Sequence, residues 1–232
     1  MNKQKLYFLS GTMCTPLLWE LVIADLTQFE CVFIDTTSAT SFAAIDALLD
    51  TTLEENANVV AFSMGAYATM HFAISHPTRI QKLIIIAASG KGLDAKELQL
   101  RKSTIDFLEQ HHYKGISTAR ALQFLHPKNH QNNGLIQVIK DMDADLGKEV
   151  LIRQLKATSQ RIDVTEKLKN IQSKIHVIAS KEDALVHIDD VKHTQQQFTK
   201  ATMSILKNCG HMIPLEMPDL VKESIVRFFK DS

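Results

Sequence analysis

The stretch Asn58-Val59-Val60-Ala61-Phe62-Ser63-Met64-Gly65-Ala66 decides the reading of this chain. Asn58 to Phe62 is an apolar run of strand character, and it leads straight into Ser63. Ala66 to Ser75 has helical character and is closed by His76-Pro77. A strand, a sharp turn and a helix, with serine at the turn, is the context that holds a nucleophilic hydroxyl out at a sheet edge. Such a turn needs small residues two before and two after the serine. Gly65 meets that need, and Ala61 adds a single methyl group. The alternative is that Ser63 only starts a helix.

Working outward, the same rhythm recurs. Lys5 to Leu9, Phe29 to Ile34 and Ile80 to Ala88 read as strands, and Ser41 to Thr52 as a helix with Phe42, Ile45, Leu48 and Leu49 on one face. The run Ile80 to Ala88 suits a strand covered on both faces, as in a parallel sheet. Residues 94 to 161 break the rhythm. Four helices are predicted there, about Ala95 to His111, Gly115 to Leu125, Asn133 to Leu146 and Lys148 to Gln160. Strands return at Lys174 to Ala179 and Ala201 to Leu206, with helices at Ile188 to Phe198 and Leu220 to Phe229. The expected fold is therefore α/β, a mostly parallel sheet covered by helices. Residues 1–93 and 162–232 form its core, and residues 94–161 are an inserted helical lid.

A serine nucleophile needs a base and an acid that orients it. His211 follows the last predicted strand, between Gly210 and Pro214, in a loop that can aim an imidazole over the sheet. Asp183 follows the strand Lys174 to Ala179, so the chain order is Ser63, Asp183, His211. Asp94 is the runner-up acid, and Glu182 fits a solvated loop position. The oxyanion hole requires two backbone N–H groups. Met64 supplies one, and the loop Ser10-Gly11-Thr12-Met13 the other, from Thr12 or alternatively Met13. All of these positions belong at the carboxyl edge of one sheet.

Composition narrows the remaining choices. Lys plus Arg equals Asp plus Glu over 232 residues, so the formal net charge is zero. That argues against nucleic acid, whose binding needs a basic surface. No run approaches the ~20 apolar residues of a membrane span. Leu6 to Leu9 is too short for a signal segment. Cys14, Cys31 and Cys209 are odd in number and far apart, which fits a reducing cytoplasm. Cys209 lies near His211, so a Cys–His pair is considered beside a plain core cysteine. His126 and His130 are separated by Pro127, and no metal motif is present. No metal or organic cofactor is expected.

These residues resemble the α/β-hydrolase superfamily along nearly the whole chain. Its H-G-x motif appears as Ser10-Gly11-Thr12, with Trp19 where many members have tryptophan. Its G-x-S-x-G is Ala61-Phe62-Ser63-Met64-Gly65, and its G-x-x-D is Ser180-Lys181-Glu182-Asp183. Its G-H-x-x-x-x-E-x-P is Gly210 to Pro218. Ser10 and Ala61 depart from the usual histidine and glycine, and Asp35 to Thr40 lacks the usual glycines.

Within the superfamily the chain is similar to the pimeloyl-acyl-carrier-protein methyl ester esterases of biotin synthesis. That resemblance implies a serine carboxylesterase with a small-molecule or carrier-protein-bound ester as substrate. It also implies acyl carrier protein as partner of basic lid residues. Residues 94 to 161 hold eleven Lys/Arg against eight Asp/Glu, with Lys148, Arg153, Lys156 and Arg161 late in the lid. A solvated helix face explains that excess as well. Met13, Trp19, Phe107, Phe124 and Leu125 are candidate substrate contacts, with lid packing the alternative for the last three. Thioester, lactone or amide cleavage is the rival chemistry, and a non-catalytic ligand receptor on the same scaffold is the rival of another class.

Overall fold

The computed structural model describes residues 3–230. Six strands form one sheet: β1 (Gln4–Leu9), β2 (Phe29–Ile34), β3 (Ala57–Phe62), β4 (Ile80–Ile86), β5 (Lys174–Ser180) and β6 (Ala201–Leu206). Their order is β2-β1-β3-β4-β5-β6, and each neighbouring pair is parallel.

Successive strand residues face opposite sides, so two separate apolar layers form. Leu6, Phe8, Val60, Phe62, Ile84 and Ile86 point to one side. Tyr7, Leu9, Val59, Ala61, Leu83 and Ile85 point to the other. The first layer packs against α1 (Glu20–Ile23) and α9 (Pro218–Lys230) through Val22, Val221, Ile225 and Phe229. The second packs against α2 (Phe42–Thr52), α3 (Met64–Ser75) and α7 (Ile188–Gln197) through Ile45, Leu49, Tyr67, Met70 and Val191. This explains why the central strands are apolar at nearly every position.

Element ends differ from the sequence reading where the backbone is unusual. The helix after β3 starts at Met64 rather than Ala66, because Ser63 itself turns the chain. The fourth strand stops at Ile86 rather than Ala88, because Ala87 takes φ 51°. The short helix α1, the 3₁₀ segments Pro16–Trp19, Pro127–Asn129 and Thr165–Asn170, and α8 (Ile213–Glu216) were not anticipated, being too brief to show periodicity.

Between β4 and β5 lie α4 (Ala95–Gln110), α5 (Thr118–Leu122) and α6 (Asn133–Thr158). The helix expected over Gly115 to Leu125 shrinks to α5, which the Ser117 hydroxyl caps by accepting the Arg120 amide. The two helices expected on either side of Gly147 are both present within α6. Gly147 still breaks the helical geometry, at φ 71° and ψ −176°. Among the described residues, no helix is long and apolar enough to cross a membrane.

Candidate active site

Ser63 caps α3 at φ 50° and ψ −114°, a conformation that non-glycine residues rarely adopt. The turn is held by the Ser63 amide, which donates to the Ile86 carbonyl at 2.9 Å. It also depends on Gly65. A Cβ there would sit 2.5 Å from the Ser10 carbonyl oxygen and 2.8 Å from that of Leu9. Both are backbone atoms of the chain leaving β1, so only glycine allows α3 this close to the strand. The packing leaves Ser63 partly exposed while its neighbours Phe62 and Met64 are buried.

The structure brings Ser63, His211 and Asp183 into one chain of hydrogen bonds. His211 Nε2 lies 3.0 Å from Ser63 Oγ, and His211 Nδ1 lies 2.8 Å from Asp183 Oδ2. Asp183 Oδ1 accepts the Leu185 and Val186 amides at 2.8 and 3.0 Å. With its acceptor positions filled, the carboxylate cannot swing away. The His211 and Asp183 side chains are 6% and 2% exposed, so water competes little for these bonds. A carboxylate at Nδ1 fixes the proton there, which leaves Nε2 free to take the serine proton.

The loop that carries His211 hangs from the helical segment. The Phe124 carbonyl accepts the His211 and Met212 amides at 2.8 and 3.2 Å. Glu216 Oε1 accepts the Gly210 amide at 2.8 Å, while its Oε2 accepts the His126 amide and Asn129 Nδ2 at 2.8 and 2.7 Å. Gly210 packs so closely that a Cβ would meet His126 N at 2.5 Å.

Residues 45–232 match the sequence profile of the Ndr family. The chain belongs to the Ndr family. This Ndr-family chain is 23% identical over 193 residues to the 2-hydroxy-6-oxo-6-phenylhexa-2,4-dienoate hydrolase of Comamonas testosteroni, covering 81% of this chain and 67% of that protein. It is also 23% identical over 177 residues to a pimeloyl-[acyl-carrier protein] methyl ester esterase of Nitrosospira multiformis, covering 73% and 67%. A thermophilic esterase from Thermogutta terrifontis, solved with malate bound, superposes with a TM-score of 0.87 at 15% identity. The match covers 99% of this chain and 90% of that one. The fold is the α/β-hydrolase fold.

The two expected oxyanion donors are placed differently. Met64 opens α3, so its amide has no partner within the helix. Gly11 lies directly against the nucleophile turn: a Cβ on it would be 3.1 Å from Ser63 Cβ and 2.9 Å from the Phe62 ring. The next amide, that of Thr12, makes no hydrogen bond among the described residues. The Met13 amide is taken, donating to Gln154 Oε1 at 2.8 Å. Of the two sequence candidates, Thr12 is therefore the free donor. Nothing in the sequence pointed to Gln154.

The residues of this Ndr-family chain expected to contact substrate have packing roles of their own. Trp19 is fully buried, packs on Phe8 and Phe62, and donates its indole N–H to Ser10 Oγ at 2.9 Å. It is a core residue, and Ser10 serves as its acceptor. Phe107 is 58% exposed and stacks on His111. Leu125 is buried in the apolar layer that includes Phe62, and Phe124 packs against that layer under the Arg120 guanidinium.

The four basic residues divide evenly. Arg153 donates to the Thr37 carbonyl at 2.7 Å. Arg161 donates to the Ser89 and Lys91 carbonyls, both at 2.7 Å, and lies over the Tyr67 ring. These two guanidiniums satisfy backbone acceptors of the core. Lys148 reaches the His111 carbonyl, and Lys156 pairs with Glu109. Both of these lysine bonds are exposed.

The rival acids and thiols have other roles. Asp94 caps α4 by accepting the Glu97 amide, and Glu182 accepts the Asn208 amide. Burial, then the Glu216 and Asp183 carboxylates, pushes the Cys209 thiol up. Burial also pushes Cys14 up to about 12. A thiol held neutral is a poor nucleophile, and the His211 ring is already engaged by Ser63 and Asp183. His126 accepts the Lys128 amide, and His130 contacts the Leu125 carbonyl. Among the described residues, no group of three or more His, Cys, Asp or Glu could hold a metal ion.

Proposed function

We propose that this chain is a serine hydrolase that cleaves carboxylic esters through an acyl-enzyme. The observation that carries the reading is the continuous hydrogen-bond chain from Ser63 Oγ through His211 to Asp183. His211 Nε2 takes the Ser63 proton as Oγ attacks the ester carbonyl. The carbonyl oxygen becomes an anion in reach of the Thr12 and Met64 amides, each worth about 3 kcal/mol in the transition state. As the intermediate collapses, His211 protonates the departing alcohol. Water then gives its proton to His211 and attacks the acyl-enzyme. The acid leaves and Ser63 recovers its proton. Asp183 stays ionised and holds the imidazolium in place.

The narrower reading is a methyl ester on a carrier-protein-bound dicarboxylyl chain. Its support is the likeness to the Nitrosospira multiformis esterase and the exposed pair Lys148 and Lys156. In this reading residues 94–161 act as a lid over Ser63, and the carrier protein meets its basic rim. Unpaired Cys14, Cys31 and Cys209 fit a reducing, cytoplasmic setting.

The test uses purified chain and its Ser63→Ala variant. Each is given a panel of short p-nitrophenyl esters and the methyl-esterified acyl carrier protein, followed by intact mass spectrometry. Turnover by the unaltered chain alone supports the serine hydrolase, and full activity in the variant sinks it. Loss of the methyl group alone supports the carrier-protein reading. Release of the whole acyl chain makes the protein a thioesterase. No turnover and no labelling by a fluorophosphonate favours a non-catalytic receptor.

A further inference from the structure

We infer that Gln154, on the helical segment, is a positioning residue for the oxyanion loop. The inference rests on the serine hydrolase reading above, and begins with the backbone of Met13. Met13 sits at φ 54°, in the left-handed region that disfavours a side-chain-bearing residue. Something must hold it there. The Cys14 amide closes the turn on the Gly11 carbonyl at 3.3 Å, a long bond. The short contact is the Met13 amide donating to Gln154 Oε1 at 2.8 Å, across 141 residues of sequence.

The peptide plane makes that contact matter for catalysis. Met13 N–H and Thr12 C=O belong to one rigid unit. Released from Gln154, Met13 can relax to negative φ, which swings that unit and turns Thr12 with it. Thr12 carries the free amide next to Gly11, which lies against Ser63, so a change in its backbone angles re-aims the proposed oxyanion donor. Such donors work only when pre-aimed at the position of the developing charge.

Gln154 is itself fixed from three directions. It is 2% exposed, so its side chain has little freedom. Its own carbonyl accepts the Thr158 hydroxyl at 2.7 Å, and that hydroxyl accepts Arg101 Nη1 of α4 at 2.5 Å. Its neighbour Arg153 ties α6 to the Thr37 carbonyl of the core. Gly147 breaks the helical geometry of α6 seven residues earlier, ahead of the half that carries Gln154. The helical segment thus sets the oxyanion loop through one buried amide oxygen. Displacing that half of α6 loosens the hole at the same moment.

The experiment compares the unaltered chain with Gln154→Met, which keeps the length and loses the acceptor, and Gln154→Glu, which keeps an acceptor oxygen. Steady-state kinetics on a p-nitrophenyl ester are read together with inhibition by a trifluoromethyl ketone, which forms an oxyanion on Ser63. The methionine variant is expected to lose about tenfold to a hundredfold in kcat with KM little changed, and to bind the ketone more weakly by a similar factor. The glutamate variant is expected to recover most of that loss. Unchanged kcat in Gln154→Met, a loss confined to KM, or equal losses in both variants overturns the inference.

If the methionine variant does not fold, the unaltered chain decides by amide hydrogen exchange. The Met13 amide should exchange on the order of a hundredfold more slowly than that of Thr12, and equal rates overturn the inference. Absence of any turnover in the unaltered chain instead sinks the serine hydrolase reading, and the role of Gln154 with it. Normal turnover in both chains sinks only the role of Gln154.

Discussion

Glu216 Oε2 accepts the His126 amide at 2.8 Å, joining two segments that are 90 residues apart in sequence. Its other oxygen holds the Gly210 amide, one residue before the imidazole. A single carboxylate therefore fastens the histidine loop to the helical segment. Replacing Glu216 by alanine strands two backbone donors and Asn129 Nδ2. Unsatisfied donors at sheltered sites cost about 1–3 kcal/mol each. Glu216→Ala is expected to lose about 2–4 kcal/mol in urea unfolding, together with most of the proposed esterase activity. Glu216→Gln keeps one acceptor oxygen and should lose clearly less. Equal stability of the alanine variant and the unaltered chain would refute the fastening role.

Asp183 offers a separation of chemistry from folding. Asn at this position keeps the shape and one acceptor for the Leu185 and Val186 amides, but its NH₂ favours the wrong imidazole tautomer. Asp183→Asn is expected to lower kcat by about 10⁴-fold in an ester assay, with the melting temperature little changed. A loss of less than tenfold would show that Asp183 does not orient His211.

Gly65 and Ala61 flank Ser63 but differ in tolerance. A methyl group on Gly65 meets backbone oxygens at 2.5 and 2.8 Å, and backbone cannot rotate away. Gly65→Ala is expected to destabilise by about 2–3 kcal/mol or more, and to disorder the serine turn. Ala61→Gly removes a methyl from a packed site and adds chain freedom, so a loss near 1 kcal/mol is expected. Chemical denaturation of both variants measures the contrast, and similar losses would undo the argument.

His176 gives the fold a pH dependence of known sign. Its ring is nearly buried and contacts the Thr202 and Ser204 hydroxyls. Burial, and secondarily Arg227, holds its pKa below the ordinary histidine value of 6.5. Below that ordinary value the unfolded chain takes up a proton that the folded chain resists. Stability is thus fully present above about pH 6.5 and is lost as pH falls toward the folded pKa. His176→Asn is expected to flatten this part of the stability-against-pH curve, as read by urea midpoints at pH 5 and pH 8. An unchanged slope would remove His176 as the cause.

The elements legible in the sequence were those set by local chemistry. Alternation on the strands, the Ser63 turn with Gly65 behind it, and the Gly210-His211 loop all depend on a few neighbouring residues. The meeting of Ser63, Asp183 and His211 was legible through their order along strand ends. What escaped was set by long-range docking. Gln154 looks like any polar helix residue until α6 is laid over Met13. Arg153 and Arg161 looked like surface charge, yet their guanidiniums fill backbone acceptors of the core. Phe107 looked apolar enough for a channel, but α4 is mostly exposed and buries only Leu108. The short helices around Trp19 and Pro214 are held by packing, with a Thr15 cap on the first alone, and periodicity cannot find one turn.

The separation of 148 residues between Ser63 and His211 bears on how this chain acquires its chemistry as it folds. Strands β1 to β4 and the serine turn all lie between Gln4 and Ile86. The base arrives only after β5 and β6 have added to the sheet edge, and closing so long a loop is entropically slow. Under the proposed mechanism, catalytic competence is then a late event in folding, and Ser63 stays chemically silent until the whole sheet is in place.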